Sequence, residues 1–115
     1  MSQPYIDYVL AQDLESLRLS QPDLLMVDVR DEPAFDEMAL PGTYCMPLAD
    51  LENGSLEAEL KDDSRRPILF ICAKGGRATT AADTLRDRLE NPMSVLLGGI
   101  LACAQAGLPL KQGKS

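Results

Sequence analysis

The chain has 115 residues, a net charge of −7 and 45% hydrophobic residues, enough to bury one core without disulfide bonds. It contains three cysteines and no histidine. The lack of histidine excludes a serine–histidine triad, a cysteine–histidine dyad and every metal site built on imidazole. Any chemistry must therefore depend on carboxylates, cysteine or backbone dipoles.

Location and macromolecular partners are constrained by the distribution of charge and apolar residues. The first ten residues lack a basic segment and a long apolar stretch, and an odd cysteine count favours reduced thiols, so we expect a cytoplasmic protein. Residues 91–110 carry no charge, but two prolines and three glycines interrupt them, which argues against a membrane span. The carboxyl-terminal half, residues 64–115, has a net charge of +5, yet it contains no run of basic residues typical of a nucleic-acid interface.

Short apolar runs alternate with amphipathic segments along the whole chain. In order, the pattern predicts a strand at 5–10, a helix at 13–19, a strand at 24–29, a short helix capped by Asp31, a strand at 44–48, a helix at 56–60, a strand at 67–71, a helix at 78–89, a strand at 93–97 and a helix at 100–106. Strands separated by helices predict an α/β fold, an open sheet of about five mostly parallel strands with helices on both faces.

Several residues outside any motif are predicted to have structural roles. Phe35 and Met38 are expected on the inner face of the short helix. Four methionines are predicted to fill the core: Met26, Met38, Met46 and Met93. Cys45 and Cys103 are likewise predicted to be core residues and not resolving thiols. Asp28 and Arg30 are predicted to form a polar pair that organises the loop after a strand, with direct substrate contact as the alternative.

Residues 68–79 form the most informative segment: an apolar strand, Cys72, a glycine-containing loop and a helix. In open α/β sheets ligands bind beyond the carboxyl ends of the strands, where Cys72 is predicted to lie. Gly75 and Gly76 allow the loop to turn its backbone N–H groups inward as an anion-binding nest. The helix N-terminus, Lys74 and Arg77 add positive charge, which favours a Cys72 thiolate without histidine. The alternative is a Cys72 that acts only as a small apolar residue at a strand end.

Four segments in order carry a resemblance to a known family: Asp28-Val29-Arg30, Leu40-Pro41-Gly42-Thr43, the loop from Cys72 to Arg77, and Leu97-Gly98-Gly99-Ile100. Together they resemble a single rhodanese domain, and the resemblance covers nearly all of the chain. It predicts a rhodanese domain over residues 1–110, followed by a short polar tail at 111–115.

The resemblance implies sulfur transfer through a persulfide of the catalytic residue Cys72. The thiolate would attack the outer sulfur of thiosulfate or a related donor and pass that sulfur to a thiol or cyanide acceptor. The substrate-binding residues would be Ala73, Lys74, Gly75, Gly76 and Arg77. The implied partners are a small anionic sulfur donor and a thiol or cyanide acceptor, which includes a redox or sulfur-carrier protein. No cofactor, metal, nucleic acid or membrane is implied.

The loop also bears on two alternative functions. Cys72 to Arg77 spans six residues, as in sulfurtransferases, whereas the related cell-cycle phosphatases carry one residue more; this disfavours a phosphatase or arsenate reductase. Ala73 stands where many family members have arginine, and Ala78 where serine is frequent. These departures favour a donor other than thiosulfate, or a non-catalytic rhodanese-like binding or redox-sensing module.

Overall fold

A computed structural model of the chain describes residues 6–74 and 76–113. Its five strands form one sheet in the order β1-β5-β4-β2-β3, and every paired strand is parallel. The strands are β1 (Ile6–Val9), β2 (Leu25–Asp28), β3 (Thr43–Cys45), β4 (Ile68–Ile71) and β5 (Met93–Leu96). The predicted open α/β sheet of about five strands is therefore confirmed.

Helices cover both faces of this sheet. They are α1 (Leu14–Ser20), α2 (Glu32–Glu37), α3 (Leu48–Glu52), α4 (Ser55–Leu60), α5 (Gly76–Leu85) and α6 (Gly99–Gln105), and a 3₁₀ turn at Ala11–Asp13 precedes α1. One buried cluster joins the sheet to apolar residues of α3, α4 and α5, and a second joins the opposite face to α1 and α6. No helix of the described residues is long and apolar enough to cross a membrane.

Two interior strands, β2 and β4, owe their position to continuous apolar sequence. All residues of β2 and β4 are buried, because helices cover both faces and successive side chains point to opposite sides. Leu25 and Val27 enter one core cluster, and Met26 enters the other. The register pairs Asp28 with Ile71, and the Val29 N–H donates to the Ile71 carbonyl at 2.8 Å. The loops that follow β2 and β4 therefore begin side by side.

The predicted end of the third strand and the predicted burial of Met38 are wrong. The strand predicted at 44–48 ends at Cys45, and α3 begins at Leu48 because Pro47, with φ of −54°, starts a helical turn whose N–H groups bond to its carbonyl. Met38 is 46% exposed, whereas the other three methionines predicted to fill the core are buried. The reason is that α2 ends at Glu37, and Met38 has extended backbone angles that take it off the helix face.

The residues after 110 contact the domain as far as the structure describes them. Lys111 and Ala39 exchange two backbone hydrogen bonds of 2.7 and 2.9 Å, and the Gly113 N–H donates to the Phe35 carbonyl at 3.1 Å. The last two residues of the predicted tail lie outside the described part. The division into a domain at 1–110 and a tail at 111–115 stays a prediction.

Candidate active site

Cys72 lies directly after β4, at the base of an open pocket of about 490 Å³. The pocket is lined by Arg30, Asp31, Ala34, Cys72, Ala73, Lys74, Gly76 and Arg77. Five of the six predicted site residues thus meet at one place, and Gly75 lies outside the described residues. Cys72 is 2% exposed, whereas Ala73, Lys74 and Arg77 are exposed. Cys72 is therefore a buried part of the pocket lining, surrounded there by exposed residues of its own loop.

The positive end of α5 faces this pocket. The helix begins at Gly76, four residues after Cys72, and runs for 10 residues. Its first N–H groups have no partner within the helix, so they present partial positive charge where Gly76 and Arg77 line the pocket. Lys74 and Arg77 add two full positive charges to the lining. The combination favours anions bound in the pocket.

Asp31 adds a negative charge to the same lining, and sequence reasoning missed it. Its carboxylate lies 3.9 Å from the Arg77 guanidinium, and the two side chains are 76% and 59% exposed. An exposed pair of this kind is weak, since water and salt screen it. Asp31 was predicted only to cap α2, and its side chain forms no cap hydrogen bond.

Asp28 and Arg30 form the predicted polar pair, which is buried. Arg30 Nε donates to Asp28 Oδ1 at 3.0 Å and Nη2 donates to Oδ2 at 2.8 Å, while Nη2 also donates to the Met38 carbonyl at 2.5 Å. The Arg30 backbone N–H bonds to the same carboxylate at 3.0 Å. These bonds hold the loop that forms the Asp31 side of the pocket. Because Asp28 compensates the charge of Arg30, this arginine adds little net positive charge to the pocket.

Gly99 packs against the backbone of the Cys72 loop, a role that was not predicted from the sequence. The Ile100 N–H donates to the Cys72 carbonyl at 2.8 Å, and the Leu101 N–H donates to the Ala73 carbonyl at 3.1 Å. Gly99 has φ of +60°, and a Cβ built on it would lie 2.2 Å from the Cys72 carbonyl oxygen. The Gly98-Gly99 pair after a strand signals close backbone approach, but the sequence does not say to which loop.

The match with a family model agrees with this geometry. Residues 10–106 match the model described as "Rhodanese-like domain". The chain belongs to the rhodanese-like domain family. The matched residues include β2, the Cys72 loop and α6. The pocket therefore lies within the matched region, together with the loop after β2 and the start of α6 that support it.

Proteins similar to this rhodanese-like domain include both a sulfurtransferase and a possible phosphatase. An adenylyltransferase and sulfurtransferase MOCS3 from Drosophila ananassae is 29% identical over 78% of this chain and 21% of its own length. A possible tyrosine phosphatase of unknown function from Rhodopseudomonas palustris shares 28% identity and a TM-score of 0.78, with 92% and 85% of the two chains covered.

The fold also superposes on a thiosulfate sulfurtransferase from Pseudomonas aeruginosa. The TM-score is 0.83 at 24% identity, and the match covers 96% of this chain and 21% of that one. Among the curated relatives, the chain spans between 21% and 57% of their lengths.

The other two cysteines of the rhodanese-like domain lie in different environments. Cys103 is fully buried on α6, as predicted for a core residue, and burial raises the pKa of its thiol. Cys45 is half-buried on the edge strand β3 and belongs to neither core cluster, so its predicted core position is wrong. Burial, with the charges of Asp28, Glu32 and Asp36, raises the pKa of Cys45 to about 11.

Alkylation of Cys45 should follow this raised pKa. We expect its rate with iodoacetamide to rise about tenfold per pH unit from pH 8 to 10, because only the thiolate reacts and its fraction stays small below a pKa of about 11. Peptide mass spectrometry of the time course measures this rate. The Asp36→Asn substitution should lower the pKa and speed the reaction, whereas a rate that levels off below pH 9 would contradict the assignment.

Proposed function

We propose that this rhodanese-like domain is a sulfurtransferase in which Cys72 carries a sulfane sulfur as a persulfide. The observation that supports it most is the position of Cys72 at the base of a pocket lined by Lys74 and Arg77 and faced by the N-terminus of α5. Such a site attracts an anionic donor and stabilises a negatively charged sulfur. A cytoplasmic location is part of the proposal, since the reaction needs a reduced thiol.

The proposed first step forms a persulfide on Cys72. The Cys72 thiolate attacks the outer sulfur of thiosulfate, the sulfur–sulfur bond of the donor breaks, and its electron pair leaves with sulfite. The outer sulfur stays on Cys72 as a persulfide anion, and charge balances because thiosulfate and sulfite are both dianions. The amides at the start of α5 would hold the negative charge that moves onto this sulfur.

The proposed second step returns the enzyme to its starting state. An acceptor such as cyanide attacks the terminal sulfur of the persulfide, which releases thiocyanate and the Cys72 thiolate. A thiolate acceptor, on a small molecule or on a redox or sulfur-carrier protein, takes the sulfur in the same way and becomes a persulfide. Division of the transfer into two displacements at one cysteine is covalent catalysis.

Phosphate transfer is the competing reaction on this fold. One similar structure, from Rhodopseudomonas palustris, is described as a possible tyrosine phosphatase. The loop from Cys72 to Arg77 spans six residues, which resembles the loop of sulfurtransferases and not the longer loop of the related phosphatases. A non-catalytic binding or redox-sensing module is the other alternative, because Ala73 and Ala78 depart from the residues frequent in the family.

Intact-mass measurement of the protein after incubation with donors tests the proposal. We expect thiosulfate or a low-molecular-weight persulfide to add the mass of one sulfur atom at Cys72, and cyanide or dithiothreitol to remove it. The Cys45→Ser variant should acquire the same mass, since Cys45 does not line the pocket.

Two results would contradict sulfur transfer. Hydrolysis of an aryl phosphate without any sulfur adduct would favour a phosphatase. Absence of an adduct with every donor, together with capture of one partner that persists in Cys72→Ala, would favour a binding module.

A further inference from the structure

Asp31 is the one acidic residue among the described residues that line the Cys72 pocket. It directly precedes α2, and its carboxylate lies 3.9 Å from the guanidinium of Arg77, which also lines the pocket. The side chain forms no cap hydrogen bond with α2 and is mostly exposed. Its position therefore affects the charge of the pocket more than the stability of the helix.

Apart from Cys72, the charged side chains that line the pocket sum to about one net positive charge. Lys74 and Arg77 contribute two positive charges, and Asp31 contributes one negative charge. Arg30 also lines the pocket, but its guanidinium is bonded at two points to the buried Asp28 carboxylate, which compensates it. The Cys72 thiolate of the proposed reaction offsets this remaining positive charge, so each negative charge that a donor brings is opposed by the Asp31 carboxylate.

We propose that Asp31 is a specificity-determining residue that makes the pocket prefer sulfur donors with one negative charge or none over dianions. The preferred donors are persulfides and thiosulfonates whose group beyond the transferred sulfur is neutral. Thiosulfate, a dianion, remains a donor but is disfavoured by repulsion from the Asp31 carboxylate and by the share of the Arg77 charge that this carboxylate neutralises. The inference rests on the proposed sulfur transfer at Cys72.

A pair of donors with the same reacting sulfur and different charge tests this proposal. Thiosulfate carries two negative charges, and methanethiosulfonate carries one, because a methyl group replaces one oxygen. Both lose the outer sulfur to Cys72, with sulfite or methanesulfinate as the leaving group. The rate of persulfide formation under single-turnover conditions is measured by quenching and intact mass.

Removal of the Asp31 charge should change the two rates unequally. At low salt we expect Asp31→Asn to raise the second-order rate by roughly threefold per negative charge on the donor, so by roughly tenfold for thiosulfate and threefold for methanethiosulfonate. The change should shrink in 0.5 M salt, which screens exposed charges at distances beyond roughly 4 Å. Asp31→Glu keeps the charge and should keep the wild-type preference.

Asp36→Asn is the matched control, because it removes one negative charge from α2 outside the pocket. Its ratio of thiosulfate to methanethiosulfonate rates should equal that of the wild type. The proposal is overturned if persulfide forms but Asp31→Asn leaves this ratio unchanged, or if Asp36→Asn changes it as much.

Alkylation of Cys72 separates a failure of this inference from a failure of sulfur transfer. Iodoacetate carries one negative charge and iodoacetamide none, and neither needs the sulfur chemistry. We expect Asp31→Asn to raise the iodoacetate-to-iodoacetamide rate ratio at Cys72 roughly threefold at low salt. If no donor forms a persulfide, the proposed function fails; an unchanged alkylation ratio overturns the role of Asp31 whether or not sulfur is transferred.

Discussion

Cys72→Ser is expected to reduce thiocyanate formation from thiosulfate and cyanide at least about 10³-fold, as loss of a covalent nucleophile does in other enzymes. A serine hydroxyl is almost fully protonated at neutral pH, and the oxygen does not form the persulfide that the transfer requires. Steady-state thiocyanate production and intact mass measure the two consequences, and the variant should show no sulfur adduct.

The matched control for this prediction is Cys45→Ser. It makes the same change in a half-buried thiol outside the pocket and should keep the wild-type rate. Because Cys72 is buried, serine at this position can destabilise the fold. Far-UV circular dichroism and the melting temperature therefore establish that Cys72→Ser is folded before its rate is compared. A folded Cys72→Ser protein with the wild-type rate would refute the persulfide mechanism.

Gly99→Ala is expected to lower sulfur transfer at least about 10²-fold and to destabilise the fold, because it displaces the loop that positions Cys72. Its Cβ would lie 2.2 Å from the Cys72 carbonyl and 2.6 Å from the Ala73 carbonyl, distances at which the backbone must shift. The φ of +60° adds backbone strain of about 1–2 kcal/mol. Chemical denaturation measures the loss of stability, and persulfide formation per folded molecule measures the displacement.

Gly107→Ala separates these two contributions. Gly107 also has a positive φ, of +78°, but a Cβ there meets no atom within 4 Å. This variant should lose only the stability attributable to backbone strain and should keep its activity. Equal activities in the two variants would show that close packing of Gly99 against the Cys72 loop is not needed for sulfur transfer.

Most of the fold follows from local sequence pattern. The buried runs at β2 and β4 are apolar at every position but Asp28, which favours strands covered on both faces, and helices between them require parallel pairing. The same pattern failed at α3, since five residues after Pro47 are too few for helical periodicity to show. It also failed at Cys45, because the apolar pattern does not reveal that β3 is an edge strand.

The amino-acid pattern is enough to predict the parallel α/β fold and the candidate nucleophile, because apolar periodicity and a cysteine–glycine–arginine loop are local properties. The surroundings of that loop depend on how distant segments of the chain pack together. Gly99 lies 27 positions after Cys72 in the sequence, yet it packs against the Cys72 backbone. Asp31 lies 46 positions before Arg77, yet its carboxylate is 3.9 Å from the Arg77 guanidinium. Strand register brings these segments together, so the close packing at Gly99 and the charge at Asp31 depend on pairings that no local pattern contains.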